Sequence, residues 1–266
     1  IFFPIILLKN KKKYSHIGIL SAMPEEVGSI LDNLHNIKSS KFGDFKLFSG
    51  KLILDNLEEV LVTTAWSGWG KVSAARATTR LLTSNLNQKP IEIIVFTGVA
   101  GAVNKNLKQW DVILANSVIQ HDLDARPFFG KYVIPAVNDE KIYPNRVLLE
   151  KVFIELKKEL KNKSFSRFGS IYKGLIATGD MFLSNRKKIN QLSEEISGLS
   201  AVEMEGAAFA QVAFQEKIDW LIMRVISDEA NENAYYDFNQ FLNEYKSSSF
   251  NLIQCLINVL MKELKY

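Results

Sequence analysis

SAVEMEGAAFAQVAFQEKIDWLIMRVISDEAN (Ser200 to Asn231) reads as strand, helix, strand. Ala201 to Glu203 closes a short apolar strand, Met204 to Phe214 forms a helix rich in small residues, and Trp220 to Ser227 is a buried strand. Short apolar runs joined through a helical pattern mark an α/β chain. Within it, Glu203 and Glu205 in SAVEMEGAAFAQVAF (Ser200 to Phe214) and Asp228 in VISDEAN (Val225 to Asn231) are acidic residues set beside apolar runs. A buried ionised carboxylate is costly unless it is paired or hydrogen-bonded, and such groups shift their pKa. A further acidic element follows the apolar run in HIGILSAMPEEV (His16 to Val27). Each acidic element ends or follows a strand-like run. Sites in α/β proteins gather at the carboxyl ends of strands, so one site built from all of them is expected.

Outward from this core the alternation continues. His16–Ala22 is predicted as a strand and Pro24–Leu34 as a helix, with Pro24 in its first turn and Glu25 and Glu26 at the positive end of its dipole. Strands are predicted at Phe45–Ile53 and Glu59–Ala65, around the turn Asp55-Asn56. Ser67–Leu82 begins as a glycine-rich turn and becomes a helix. Ile91–Val103 is a strand entering a Gly/Ala loop, and Trp110–Asp124 is a long strand. Arg126–Arg146 reads as loop, with Pro127, Pro135 and Pro144, before an amphipathic helix Val147–Leu160. Ile171–Thr178 is a strand leading to GDMFLS, and one carboxyl-terminal helix is predicted from Phe238, whose apolar positions recur at helical spacing. The fold class is α/β, with helices packed around a largely continuous sheet.

The chain has 266 residues, 47% of them hydrophobic, enough for a sizeable core. The net charge of +4 is too mild to imply a nucleic-acid partner. Cys255 is the only cysteine, which excludes an intrachain disulfide and a cysteine metal site. His16, His35 and His121 lack ligand spacing, and no metal is expected. Residues 1–14, IFFPIILLKNKKKY, read as an amino-terminal extension ahead of one domain spanning 15–266. The apolar part is too short to span a membrane. It reads either as a poorly tethered extension with a solvated Lys11 to Lys13 run or as the remnant of an export signal or anchor, which keeps a surface location open.

GILSAMPEEV, SGWGKVSAARAT, FTGVAGAV, DVILANSVIQHDLDA, GLIATGDMFLS, AVEMEGAAFAQVA and RVISDEAN, ending in FNQFL, occur in this order between His16 and Phe241. Taken together they resemble the 5′-methylthioadenosine/S-adenosylhomocysteine nucleosidases, within the wider nucleoside phosphorylase superfamily. The resemblance implies a three-layer α/β/α sandwich with a central mixed sheet, a homodimer, a cytoplasmic location, no cofactor, and hydrolysis of the bond between adenine and a 5′-thio-substituted ribose. Carried over by position, it places the water-activating carboxylate on Glu26, the purine-protonating acid on Asp228 beside Ser227, and the ribose-binding carboxylate on Glu205, preceded by Met204 and Glu203. It places the adenine-stacking ring on Phe182, backbone groups for the base on Leu183, an aromatic near base and sugar on Phe238, and a basic residue near the ribose on Arg224. Ala100 and Gly101 fall in the Gly/Ala segment of the site. Ala125 and Phe128 match positions that reach the partner's alkylthio pocket in the dimer. The chain departs from the family pattern at Trp69, Val99 and Ala102, where a small aliphatic residue, serine and glycine are usual. Trp69 is therefore expected to alter substrate preference.

The chemistry stands on the residues as well. Splitting a purine from ribose requires protonation of the leaving base, stabilisation of an oxocarbenium-like sugar and an activated water. Asp228, Glu205 and Glu26 supply these in turn. Glu25 and Glu26 would repel phosphate, which favours water as nucleophile, although N–H groups of Gly98–Gly101 offer an anion site. Plainer roles exist for several of these residues: Glu25 as a helix-end charge, Glu203 as a backbone acceptor, Asp228 as a loop cap, Arg224 as an ion-pair partner, Phe182 as core, His121 as a satisfied strand histidine, and Trp69 and Phe128 in packing or the dimer contact. Alternatives to the nucleosidase reading are a phosphorylase, a nucleosidase for a related adenine-bearing substrate such as aminodeoxyfutalosine, and a polyanion (glycosaminoglycan) binder using Lys11 to Lys13, Lys157, Lys158, Lys161 and Lys163.

Overall fold

The computed structural model describes residues 11–12, 14–162, 165–231, 233–262 and 264–265. The expectations for residues 1–10, Lys13 and Lys163 lie outside these. In chain order the elements are β1 (Lys11–Lys12), β2 (His16–Ser21), β3 (Leu34–Phe42), β4 (Phe45–Ile53), β5 (Glu59–Trp66), α1 (Lys71–Leu82), β6 (Ile93–Ala102), β7 (Val112–Gln120) and β8 (Lys141–Ile142). They continue as α2 (Arg146–Glu159), β9 (Ile171–Thr178), α3 (Arg186–Glu195), β10 (Leu199–Glu203), α4 (Gly206–Gln215), β11 (Asp219–Asp228), α5 (Ala234–Tyr245), α6 (Ser249–Met261) and β12 (Leu264–Lys265).

The large sheet runs β10-β9-β7-β11-β6-β2-β5-β4-β3, with β8 on β7, while β1 pairs only with β12. It is mixed: β6 is parallel to β11 and β2, and β7 is antiparallel to β11. The end of β6 also pairs with β10, Gly101 with Val202 and Ala102 with Ala201. Strands β6, β11, β7, β9 and β10 therefore close into a ring, and β2, β5, β4 and β3 extend from it as an open sheet.

Strand alternation builds the layers. Along β6, Ile93 and Val95 face a core shared with α2, α5 and α6, whereas Ile94 and Phe96 face a second core under α1 and α4. Successive strand residues point to opposite faces, so one apolar run serves both layers. Ala74 and Ala77 of α1 and Ala207, Ala210 and Ala213 of α4 are fully buried in the second core, and these small side chains let the two helices lie close together. Helix α3 packs with β9 and β10 in a third cluster. Among the described residues no helix is long and apolar enough to cross a membrane.

The structure corrects the reading at four places. Pro24–Leu34 is not one α-helix but two 3₁₀ turns, Pro24–Glu26 and Ile30–Asn33. Gly28 between them has φ +53°, and a Cβ there would lie 2.5 Å from Ser249 Oγ and 2.8 Å from the Lys246 carbonyl oxygen. The backbone approach that this glycine permits is incompatible with a continuing helix. The carboxyl-terminal helix is likewise two helices, broken at residues 246–248, and Ser249 Oγ donates to the Glu25 carbonyl across that break. Strand β3 was not expected: LHNIKSSKF carries lysines on an exposed edge, where they discourage edge-to-edge pairing, and it forms through the two-residue turn between the paired Phe42 and Phe45. Helix α3 was missed because only Ile189 of its residues is buried; its start is secured by the Asn185 side chain, which accepts from the Lys187 and Lys188 N–H groups.

Candidate active site

The site forms where the ring of strands closes, at the end of β6. β6 and β11 stay in register to Ala100 and Ile226, then slip, so that Gly101 faces Asp228 while also pairing with Val202 of β10. The ends of β10 and β11 diverge there, carrying Glu203 and Asp228 on either side of Val99–Gly101. The turn after β2 delivers Glu26 to the same floor, and the turn before α1 delivers Trp69. A cavity with about 580 Å³ of empty space, open to solvent, is bounded by Met23, Glu26, Trp69, Val99, Ala100, Gly101, Met181, Phe182, Leu183, Val202, Glu203, Met204, Glu205, Ser227, Asp228 and Phe238. The cavity thus gathers almost every residue the sequence singled out, from segments as far apart in the chain as Met23 and Phe238.

Glu26 is buried, with Oε2 accepting from the N–H groups of Ala22 (2.8 Å) and Met23 (2.9 Å) and Oε1 from that of Val99 (3.0 Å). Burial raises its pKa, and the Arg224 charge and these three N–H groups hold the rise in check. Gly98 makes this meeting possible, since a Cβ there would sit 2.3 Å from both Glu26 Oε1 and Arg224 Nη1. Asp228 is also buried; Ser227 Oγ donates to its Oδ2 at 2.6 Å and the Ala230 N–H to its Oδ1 at 2.8 Å. Burial again pushes the pKa up, against the lowering effect of both hydrogen bonds.

Arg224 does not line the cavity. It lies fully buried, next to the cavity-lining Glu205, as an ion-pair partner of the site's carboxylates. Its guanidinium touches three carboxylates: Nη2 pairs with Glu203 and lies 3.5 Å from Glu205 Oε2, and Nη1 lies 4.0 Å from Glu26 Oε1. Phe96 supports the guanidinium from below at 4.6 Å. Glu203 is occupied on both oxygens, by the Thr178 hydroxyl, by Arg224, and by the N–H groups of Glu205 (3.1 Å) and Gly206 (2.7 and 3.0 Å). Its plainer role as an acceptor for the start of α4 is thus realised. Glu205 accepts from the Gly70 N–H at 2.9 Å, and burial together with the neighbouring Glu203 raises its pKa to about 8.

The mouth is aromatic. Trp69 and Phe182 each meet the Phe238 ring edge-on, at 6.5 Å and 5.9 Å between centroids. Phe182 and Trp69 are exposed, at 39% and 54%, so neither is core. Ala125 and Phe128 lie outside their own chain's cavity, and the Phe128 ring is 87% exposed. Met23, Met181 and Val202 also line the cavity, though sequence reasoning passed over them; their one signal was adjacency to the acidic and glycine-bearing motifs. His121 is buried with Nε2 unpartnered, contrary to the satisfied strand histidine expected. Residues 98–101 belong to β6 rather than to a loop, and the Val99 N–H is given to Glu26. Among the described residues no group of histidine, cysteine and acidic side chains is arranged to hold a metal.

Residues 16–258 match the family model described as the phosphorylase superfamily. The 5′-methylthioadenosine/S-adenosylhomocysteine nucleosidase of Staphylococcus haemolyticus is 34% identical over 92% of this chain and 100% of its own length. The chain belongs to this nucleosidase family within the phosphorylase superfamily. The nucleosidase of Neisseria meningitidis, solved with methylthio-immucillin-A, shares the fold with a TM-score of 0.80 at 26% identity, over 91% of this chain and 98% of that one. The futalosine hydrolase of Helicobacter pylori superposes with a TM-score of 0.78 at 28% identity, over 92% of this chain and 98% of that one. Glu205 keeps its proton in the folded state well above its ordinary 4.5, up to about 8. The folded state therefore binds more protons than the unfolded one across that window. Its stabilising contribution is full below pH 4.5 and is lost as pH rises toward 8. Between pH 6 and 8, Glu205→Gln is expected to spare the protein about 2 kcal/mol of the loss that the parent suffers. Urea midpoints at the two pH values measure this, and parallel losses in parent and variant would contradict it.

Proposed function

We propose that the chain hydrolyses the N-glycosidic bond of 5′-methylthioadenosine and S-adenosylhomocysteine, releasing adenine and the matching 5′-thioribose. The observation that carries this reading is the placement of two buried carboxylates along β6, Glu26 against Gly98 and Asp228 against Gly101. Both carboxylates border one cavity together with Glu205, so a base-protonating acid and a water-orienting carboxylate can act on one bound nucleoside.

In this reading adenine stacks on Phe182, near Leu183, and Asp228 protonates the base as the C1′–N9 bond breaks. Burial keeps the Asp228 proton available, and Ser227 orients the carboxyl through its 2.6 Å hydrogen bond. Glu205 accepts hydrogen bonds from the ribose hydroxyls. Glu26, held by its three N–H groups, takes a proton from the water that adds its oxygen to C1′. Met204, Ala100 and Gly101 shape the floor, Phe238 and Trp69 the sugar side, and Ala125 and Phe128 complete the alkylthio pocket of the partner subunit in a homodimer. The single domain spans 15–266, and the location is the cytoplasmic one usual for the family.

Phosphorolysis is disfavoured by the same geometry. The Val99 N–H, one of the donors that the Gly98–Gly101 segment could offer to an anion, already serves Glu26. Adenine release from 5′-methylthioadenosine in phosphate-free buffer is the expected result; release that requires added phosphate would make the chain a phosphorylase. Trp69 narrows the sugar-side wall, whose neighbours Phe238 and Phe182 carry no charge to meet a homocysteine zwitterion. Trp69→Ala is expected to shift kcat/KM toward S-adenosylhomocysteine by about threefold or more. An unchanged ratio of the two substrates would remove Trp69 from specificity.

A further inference from the structure

Helix α1 starts without a cap of its own. Its N-cap, Gly70, has φ +92° and no side chain to offer, yet the first N–H groups of the helix are not left to water. The Gly70 N–H goes to Glu205 at 2.9 Å, and the next, of Lys71, goes to Asp180 Oδ1 at 2.7 Å. Asp180 follows β9 in the GDMF turn, 109 positions away in the chain, and leads directly to Phe182. A third carboxylate fixes both partners. Asp122 accepts from the Asp180 N–H at 2.9 Å and from Lys71 Nζ at 2.6 Å.

The two glycines beside these contacts are there for closeness. A Cβ on Gly70 would lie 2.9 Å from Asp180 Oδ1, and a Cβ on Gly179 would lie 2.3 Å from His121 Cε1 and Nε2. The His121 ring thus backs the GDMF turn where Asp180 leaves it. At the cavity mouth the same two loops meet again, through Trp69 and Phe182 on either side of Phe238. The loop that presents an N–H to the sugar-binding carboxylate and the loop that presents the base-stacking ring are joined at the back by Asp180 and at the front by rings. A carboxylate suits the back position because the amino end of a helix favours negative charge.

We propose that Asp180 is a positioning residue which locks the sugar-side loop 67–70 to the base-side loop 179–183, so that sugar and base are gripped as one unit. The inference rests on the nucleosidase reading for what the loops hold, but not for the lock itself. Asp180→Ala is expected to raise KM for 5′-methylthioadenosine about tenfold while kcat falls by less than about threefold. Asp180→Asn, whose amide oxygen still accepts from the Lys71 N–H, is expected to stay within about threefold of the parent in both. Hydrogen exchange on the protein without substrate gives the second readout: in Asp180→Ala the amides of 67–71 and 179–183 exchange faster together, while those of 199–203 do not change. Should Asp180→Ala not fold, Lys71→Met, which removes only the ammonium held by Asp122, is expected to show the same paired rise in a weaker form. A rise confined to 179–183, an unchanged KM, or damage by Asn equal to that by Ala would overturn the lock. Failure of the parent to release adenine would overturn the nucleosidase reading alone, because exchange is read without turnover.

Discussion

Asp228→Asn is expected to lower kcat/KM for 5′-methylthioadenosine by about 10³-fold while leaving the fold intact. The asparagine is nearly isosteric, its oxygen can still accept from the Ala230 N–H, and the Ser227 hydroxyl can turn to accept from the new amide. What disappears is the proton. An adenine anion is a poor leaving group, and positioned acids of this kind contribute about 10²–10⁴-fold. Direction in pH separates loss of an acid from loss of shape. Burial raises the Asp228 pKa, so the parent's rate should fall as pH climbs through that raised value, whereas the residual rate of the variant should lose this limb. Stability moves the same way: the parent keeps the Asp228 contribution below its ordinary range and loses it through the raised one, so the neutral variant should be no less stable at alkaline pH. A variant that keeps more than about a tenth of the parent's activity would remove Asp228 as the acid.

Arg224→Met is expected to cost about 3–5 kcal/mol of folding free energy, the penalty of stripping a buried charge cluster of its counter-ion. The guanidinium lies among Glu26, Glu203 and Glu205, all buried, and no other cation among the described residues pairs with any of them. Without it Glu26 and Glu205, already raised by burial, rise further, since Arg224 lowers both. The folded variant would then hold protons that the unfolded chain releases, so its destabilisation should be smaller near pH 5 and larger near pH 8. Urea unfolding at the two pH values reads this directly. Arg224→Lys should recover only part of the loss, because an ammonium lacks the fork that reaches separate carboxylates. Stability within about 1 kcal/mol of the parent at both pH values would show that the cluster is held by its backbone N–H groups instead.

Much of the fold was legible. Strands β2, β4, β5, β6, β9 and β11 fall within a residue or two of their expected bounds, and β2, β6 and β11 are apolar runs that serve two layers. The misses share a cause. β3 and α3 bury too little to carry a periodic signal, and the Pro24–Leu34 helix was spoiled by one contact, Gly28 against the break between α5 and α6. No pattern local to residues 24–34 shows a neighbour more than two hundred positions away.

The site divides along the same line. Its carboxylates were readable because charged groups in apolar sequence demand an explanation, and Glu26, Glu205 and Asp228 all border the cavity. The layout of strands and helices and the identity of the acids were thus set by the sequence itself, through hydrophobic period and the cost of burying charge. The closing of the strand ring, which parts β10 from β11 and brings these acids together, was decided only by tertiary structure. So was the place of Arg224, buried against three carboxylates, and the lock through Asp180. Each of these depends on hydrogen bonds and charge contacts between distant segments. Such contacts have no period along the chain, and they exist only once packing has fixed where the segments end.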